Sequence, residues 1–336
     1  MTTLHSPRRV ARVLPALMLL LLALSTLLAG CGARSSFFGG SDPFGEETVF
    51  GKGRDKAVLI NVNGVIDNRA RSGLFRERPG MVQEVVAQLR LAAEDPDVKA
   101  VIVGIDSPGG GVTASDVLYH ELMRHRERTG QKVVALMLDT AASGGYYTAL
   151  AADRIVAHPS TVTGSIGVIF LRPEVAGLMG KIGVRAVVTK SGDHKDMGSP
   201  FREGTDEERA LFRSIIADMN ERFQGLVRDR RPTSHGHEAA FADARILTAR
   251  QALSAGLVDR IGYFEDALAE AASLSGTSDL RVVTYRRDPL PGATEYATAT
   301  TPAGSGRMAL IDLGLPGMDA ASRAGFHYLW LPEAGM

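Results

Sequence analysis

Twice in this chain a short apolar run stops in a cluster of glycines and small residues, and a helix-like run follows. Val98–Ile105 (VKAVIVGI) leads into Asp106-Ser107-Pro108-Gly109-Gly110-Gly111. Lys132–Leu138 (KVVALML) leads into Asp139-Thr140-Ala141-Ala142-Ser143-Gly144-Gly145-Tyr146-Tyr147. Runs this short, bounded by turn residues, read as buried strands. Strand, glycine turn and helix in alternation indicate an α/β fold with a largely parallel sheet. In such sheets the carboxyl ends of the strands share one ligand crevice, so both turns open on the same site.

The remaining elements fit that frame. Ala57–Ile66 reads as a buried strand, and Met81–Glu94 as a helix stopped by Asp95-Pro96-Asp97. A helix is expected from Thr113, with Thr113 and Asp116 as its capping box. Short strands are expected at Arg154–Ala157, Thr163–Val168, Arg185–Thr189 and Leu280–Tyr285. Lys190–Arg202 is polar and reads as a surface loop. Thr205–Asp229 is the longest helix, capped by Thr205 and Glu208, with Leu211, Ile215, Ile216, Met219, Phe223 and Leu226 on one face. Thr248–Ala255 is a short helix stopped by Gly256.

The N-terminus has another character. Arg8, Arg9 and Arg12 precede an uncharged apolar run, Val13–Leu28, which ends Leu28-Ala29-Gly30-Cys31. That suits a signal-peptide core better than a membrane span. Cys31 is the only cysteine, so no disulfide or cysteine metal site forms within one chain. Small residues before a lone cysteine resemble the lipobox of bacterial lipoproteins, which implies lipidation of Cys31 and an anchor at the extracytoplasmic, periplasmic membrane face; an ordinary signal anchor is the alternative. The expected layout is a signal segment over 1–31, a tether over 32–54, a catalytic domain over 55–275, and a C-terminal strand, linker and apolar tail over 276–336. That tail, Phe326–Pro332, holds the only Trp and should pack on something, its own groove or a neighbour's. Lys+Arg and Asp+Glu balance at 38 each and aromatic residues make up 6%, which argues against a nucleic-acid partner.

Ser143 sits where a strand becomes a helix. It reads either as an exposed nucleophile, in the manner of a nucleophile elbow, or as an N-cap serine among glycines. Backbone N–H groups of Gly110 and Gly144 can hold an oxyanion, and losing one such donor costs about 2.7–4 kcal/mol of barrier lowering. A serine also needs a base. His120 and His125 lie on a charged helix and read as solvated; His194, beside Lys195, is the one serious histidine. The alternative is a lysine, Lys190 or Lys195, which acts as a base only when desolvation lowers its pKa from ~10.4.

A series of motifs then runs in one order: Asp106–Gly111, Ala142–Tyr147, Ala152–Ile155, Thr163–Val168, Ser191–Asp196 with Ser199-Pro200, and Gln251-Ala252 with Gly256–Asp259. From Ala57 to Ala271 this resembles the S49 serine-protease family of signal peptide peptidases, in its short form. The resemblance implies a ClpP/crotonase-like fold built of repeated ββα units. It implies a Ser-Lys dyad, with Ser143 as nucleophile and Lys195 as general base, Lys190 being weaker. It further implies Ser165 holding the lysine, Gly110 and Gly144 as oxyanion donors, and no metal or cofactor. The expected partners are remnant signal peptides and other unfolded apolar peptides, plus copies of the chain in a ring whose protomers share sites. Ser143 and Lys195 are then expected to stay apart within one chain. The chain departs from the family at Asp243-Ala244-Arg245, where Asp-Gly-Arg is usual. Three other functions fit parts of the pattern: a Ser-His-Asp protease, whose histidine would fall near Val168; a crotonase-type acyl-CoA enzyme; and a non-catalytic lipoprotein scaffold.

Overall fold

The computed structural model describes residues 44–69, 71–72, 77–287, 294 and 325–330. The signal segment with Cys31, and the linker from Asp288 to Gly306 except Thr294, lie outside the described residues. The strands in chain order are β1 (Gly45–Phe50), β2 (Asp55–Asn63), β3 (Arg71–Ser72), β4 (Glu77–Arg78), β5 (Val98–Ser107), β6 (Gly109–Gly111) and β7 (Lys132–Ala142). They continue as β8 (Arg154–Ala157), β9 (Val162–Gly164), β10 (Ile169–Leu171), β11 (Ile246–Thr248), β12 (Arg260–Ile261), β13 (Leu280–Arg286) and β14 (Gly325–Leu329). The helices are α1 (Met81–Glu94), α2 (Val112–Thr129), α3 (Gly144–Ala149), α4 (Ala176–Lys181), α5 (Asp206–Arg230), α6 (Ala249–Ser254) and α7 (Phe264–Ser275).

The main sheet runs β1-β13-β2-β5-β7-β8-β12, with β9 and β11 branching from β7. Its pairings are parallel except β1 with β13 and β9 with β11. Side chains alternate across a strand, so each strand feeds two cores. Val58, Ile60, Val101, Val103, Val133 and Ala135 pack with Val82, Val85 and Leu89 of α1 and Leu118 and Leu122 of α2. The residues between them, Ala57, Leu59, Ala100, Ile102, Val134 and Leu136, pack with Phe264, Ala267 and Ala271 of α7. Ile102 is wholly buried, which contributes roughly 1.5–3 kcal/mol. The β5–β7 register holds from Ala100 opposite Lys132 to Ile105 opposite Met137, then slips so that Ser107 faces Ala141. That slip draws the two glycine turns level. A second, three-stranded sheet, β10-β14-β6, stands over them. Strand β5, short β6 and helix α2 follow one another as a ββα unit.

Several expectations are corrected. Gly45–Phe50, read as tether, is an edge strand on β13; its Phe50 ring meets Phe264 edge-on at 5.8 Å, and Glu46 pairs with Lys56 at 2.8 Å. Helix α2 starts at Val112 with Gly111 at its N-cap and no side-chain cap bond. Asp116 instead accepts from the Tyr147 hydroxyl at 2.6 Å and Arg222 at 2.7 Å. His125 is buried against Gln131 at 2.8 Å, and burial lowers its pKa. Arg185–Thr189 forms no strand: no neighbouring strand pairs with it, and its Val187 and Val188 are exposed. Helix α5 has the expected capping box at Thr205 and Glu208, but Leu211 on its apolar face is exposed and only Phe223 and Val227 are buried apolar residues. Among the described residues no helix is long and apolar enough to cross a membrane.

Candidate active site

β7 ends at Ala142, and Ser143 turns the chain into α3 with φ 53° and ψ −115°. A non-glycine residue held there costs of order 1–3 kcal/mol and persists where its surroundings over-determine it. Here they do. The Ser143 N–H donates to the Gly164 carbonyl at 2.8 Å and its own carbonyl accepts from Tyr147 at 2.8 Å. A Cβ on Gly145 would stand 2.7 Å from the Ser107 carbonyl oxygen, and one on Gly144 would stand 2.3 Å from Ser115 Oγ. The glycines thus let the elbow press against β5 and α2. Ser143 makes no capping bond. Its hydroxyl is buried and has no hydrogen-bond partner among the described residues. A buried polar atom without a partner is rare, and this one has its acceptor and donor capacity free.

Ser165 is the neighbour. Ala142 pairs with Gly164, so the residues that follow, Ser143 and Ser165, lie side by side beyond the end of the β7–β9 ladder. Ser165 also has a positive φ, 50°, and its N–H donates to the Arg245 carbonyl at 2.8 Å. Among the described residues the third non-glycine residue of this kind is Ala244, at φ 60°. It packs on the same turn: a Cβ on Gly167 would meet the Ala244 Cβ at 2.6 Å. A cavity of about 320 Å³ opens here, lined by Ser165, Gly167, Val168, Ala244, Leu329 and Trp330 among others.

The first glycine turn closes the other side. Ser107 Oγ donates to the Gly64 carbonyl at 2.6 Å and accepts from Gly109 N–H at 3.1 Å, which fixes the turn. Gly109 has φ 100°, and a Cβ on it would stand 2.7 Å from the Gly144 nitrogen. A Cβ on Gly110 would stand 2.0 Å from the Ile66 carbonyl oxygen. The two turns therefore touch through bare backbone, as an oxyanion pocket requires. At their base Asp106 accepts from the Thr140 N–H at 3.2 Å. Burial raises its carboxyl pKa, the Asp139 charge adds to that, and the Thr140 bond opposes it.

The structure brings Ser143, Ser165, Gly110 and Gly144 together and leaves Lys195 out. Lys195 is exposed, in a run of turns after α4, and its side chain makes no hydrogen bond or ion pair among the described residues. Lys190 Nζ donates to the Asp193 carbonyl at 2.7 Å and to Asp196 at 2.8 Å. Asp196 also binds Arg202, whose guanidinium, with Lys190, holds that carboxyl well below the usual range. His194 faces Glu207 at 3.5 Å. Sequence reasoning passed over an aromatic cluster beside the elbow, Tyr147, Phe223 and Tyr328. Its one legible trace is the alternation of Phe326 and Tyr328 in the tail.

Comparison with known proteins gives a consistent result. Residues 125–278 match the family described as Peptidase family S49. A candidate signal peptide peptidase SppA of Enterococcus faecium is 36% identical over 275 residues, 82% of this chain and 79% of that protein. The chloroplastic serine protease SPPA of Arabidopsis thaliana is 34% identical over 65% of this chain and 32% of its own length. Among solved structures, a ClpP1 point mutant from Listeria monocytogenes matches with a TM-score of 0.40 and 19% identity, covering 63% of this chain and 94% of that one.

Proposed function

This chain belongs to peptidase family S49 and is a serine protease, and from that premise we propose that Ser143 is its nucleophile and Lys195 of a neighbouring copy its general base. Ser143 Oγ attacks the peptide carbonyl carbon while the lysine amine takes the hydroxyl proton. The N–H groups of Gly110 and Gly144 hold the oxyanion. The amine then returns its proton to the leaving nitrogen, and water repeats the sequence on the acyl-enzyme. The Ser165 hydroxyl orients the amine. An amine enclosed between protomers sheds its proton more readily than one in water.

The observation that carries this reading is the Ser143 hydroxyl, buried on strained backbone with no hydrogen-bond partner among the described residues. The nearness of Ser165 and of the glycine turns to this hydroxyl supports the reading. A second observation supports the neighbour as the source. The segment that bears Lys195 exposes Leu178, Ile182, Val184, Val187, Val188 and Phe201, each by half or more. Apolar exposure on that scale marks a protein interface. A closed ring of copies covers those side chains and carries each lysine to the next elbow.

The substrates we assign are remnant signal peptides and other unfolded apolar peptides at the extracytoplasmic membrane face, with a lipid on Cys31 as the tether. Radiolabelled palmitate incorporation that Cys31→Ser leaves unchanged removes the tether from this reading. The dyad is tested by a serine-reactive phosphonate and by subunit mixing. Wild type takes the label, and Ser143→Ala does not. Ser143→Ala and Lys195→Ala are each inactive alone. Mixed within one oligomer they regain activity, because some interfaces pair an intact serine with an intact lysine. Equal peptide turnover by Lys195→Ala and wild type ends the mechanism; activity lost in both and not regained on mixing places serine and lysine in one chain.

A further inference from the structure

Arg245 and Gln251 have no part in the mechanism, yet both border a second cavity, of about 390 Å³. His237, Arg245, Arg250, Gln251 and Ser254 give it its polar lining, and Leu247 and Ala255 its buried apolar floor. Every one of those polar side chains can donate a hydrogen bond. The Arg250 guanidinium and the His237 ring have no hydrogen-bond or ion-pair partner among the described residues. The Gln251 amide oxygen already accepts from the Thr248 N–H at 2.9 Å, in the capping box of α6, so its NH₂ end is the one left to donate. Arg245 is engaged, with Asp243 at 2.8 Å. Both members of that pair are more than half exposed, so it is weak and opens readily. Among the described residues no carboxylate lines the cavity.

The floor of this cavity backs onto the serine pair. β11 pairs with β9, Ile246 opposite Gly164 and Leu247 opposite Thr163. The Arg245 carbonyl accepts the Ser165 N–H at 2.8 Å, and the Gly164 carbonyl accepts the Ser143 N–H at 2.8 Å. Gly164 has φ 82°, and a Cβ on it would stand 2.8 Å from the Arg245 carbonyl oxygen and 3.3 Å from Leu247 Cγ. Arg245 thus offers its side chain to one cavity and its carbonyl to Ser165, which lines the other. Ala244, next to it, lines that other cavity together with Trp330. A ligand that draws the Arg245 guanidinium from Asp243 acts on the turn to which the Ser165 backbone is bonded.

We propose that this cavity is an effector site for a phosphate ester, whose oxyanion is held by Arg245, Arg250 and His237 and whose binding steadies the 243–245 turn beside Ser165. The donors come from three separate stretches of chain, so they surround an acceptor rather than face it from one side. A tetrahedral phosphate offers oxygens in every direction and takes paired N–H bonds from an arginine fork; a flat carboxylate offers only two oxygens. The apolar floor takes the carbon side of the ester, and the volume lies in the range of small-molecule sites. A steadier Ser165 holds the amine better, so the occupied site raises turnover. The binding site stands on the cavity, whereas its effect on catalysis rests on the protease reading above. A soluble ester and a lipid headgroup present the same chemistry, and the experiment separates them.

The experiment uses the assembled full-length chain and a fluorogenic peptide. Glycerol 3-phosphate carries the soluble ester. Phosphatidylglycerol vesicles, set against phosphatidylcholine vesicles, carry the headgroup. At least one of the two is expected to raise kcat about 5-fold or more and to shift the emission of Trp330, the only tryptophan, which borders Ala244. Arg250→Glu abolishes both responses. Arg228→Glu, at an exposed arginine of α5, keeps them and controls for net charge. A response to phosphatidylglycerol vesicles alone supports the site with a lipid headgroup as its occupant, and a response to glycerol 3-phosphate supports it with a soluble ester. No response to either, an equal response to acetate, or responses that survive Arg250→Glu overturn the phosphate site. Glycerol 3-phosphate that binds in calorimetry without moving kcat or Trp330 overturns the effector role. A chain that binds the ester yet takes no phosphonate label overturns the serine reading and supports the site by itself.

Discussion

The elbow around Ser143 and the segment around Lys195 are opposites in one chain. Ser143 is 1% exposed, packed between β5, β9 and α2, on backbone whose geometry its neighbours dictate. Lys195 stands in a run of turns whose nearby apolar residues face outward, Val187 at 84% exposure. One region is finished by folding; the other holds polar contacts, such as Asp196 with Arg202 and Lys190, while its apolar side chains stay exposed. On the proposed mechanism, a single copy supplies half of two sites rather than one whole one. Folding and assembly are then separate conditions for activity, and substitutions in the two regions should fail in different ways.

The largest expected effect tests that separation directly. Ile102→Ala, in the sheet, should lower unfolding free energy by about 2–5 kcal/mol in denaturant melts. Val187→Asp should leave the melt of the isolated chain within about 0.5 kcal/mol, as surface changes do, yet abolish the oligomer in sedimentation and activity with it. A Val187→Asp protein that still assembles and cleaves would erase the contrast between the regions. Next in size is Gly110→Ala. Its Cβ would fall 2.0 Å from the Ile66 carbonyl oxygen and 2.6 Å from the Ile66 nitrogen, so the turn must move. A displaced donor should reduce kcat about 10²–10³-fold, while sedimentation shows the oligomer intact.

A smaller effect sharpens the account of strain near the elbow. Ala244 holds φ 60°, a left-handed conformation that glycine adopts without a Cβ penalty, so Ala244→Gly should raise stability by about 1 kcal/mol or less. No change in the melt would mean that the turn tolerates a Cβ without cost. The smallest concerns His125. Burial lowers its pKa in the folded chain, so the unfolded chain binds the extra proton first. Stability is full above the ordinary histidine value near ~6.5 and declines as pH falls below it. His125→Gln should flatten that part of a stability–pH curve, and an unchanged slope would place the proton elsewhere.

Much of the catalytic half could be read from residues alone because its causes are local. A strand followed by Ser143-Gly144-Gly145 already forces an elbow, and the α1 limits and the Thr205–Glu208 capping box follow from spacing and side-chain chemistry. What escaped reading depends on partners distant in sequence. Gly45–Phe50 looks like linker until β13 offers an edge to pair with. Arg185–Thr189 has the side chains of a strand but no neighbour to join. Asp116 serves Tyr147 and Arg222, not its own helix. The two serines of the site could be named from the family pattern, but only the β7–β9 register puts them side by side.

The edge strand β1 has a consequence for where such an enzyme can work. Because Gly45 is already stitched to Arg286, only the 14 steps of chain from Cys31 to Gly45 remain as a leash. Fully stretched, that leash spans at most about 50 Å. If Cys31 carries the lipid, the sheet is confined to a thin layer over the bilayer, and it meets peptides leaving the membrane before they diffuse away.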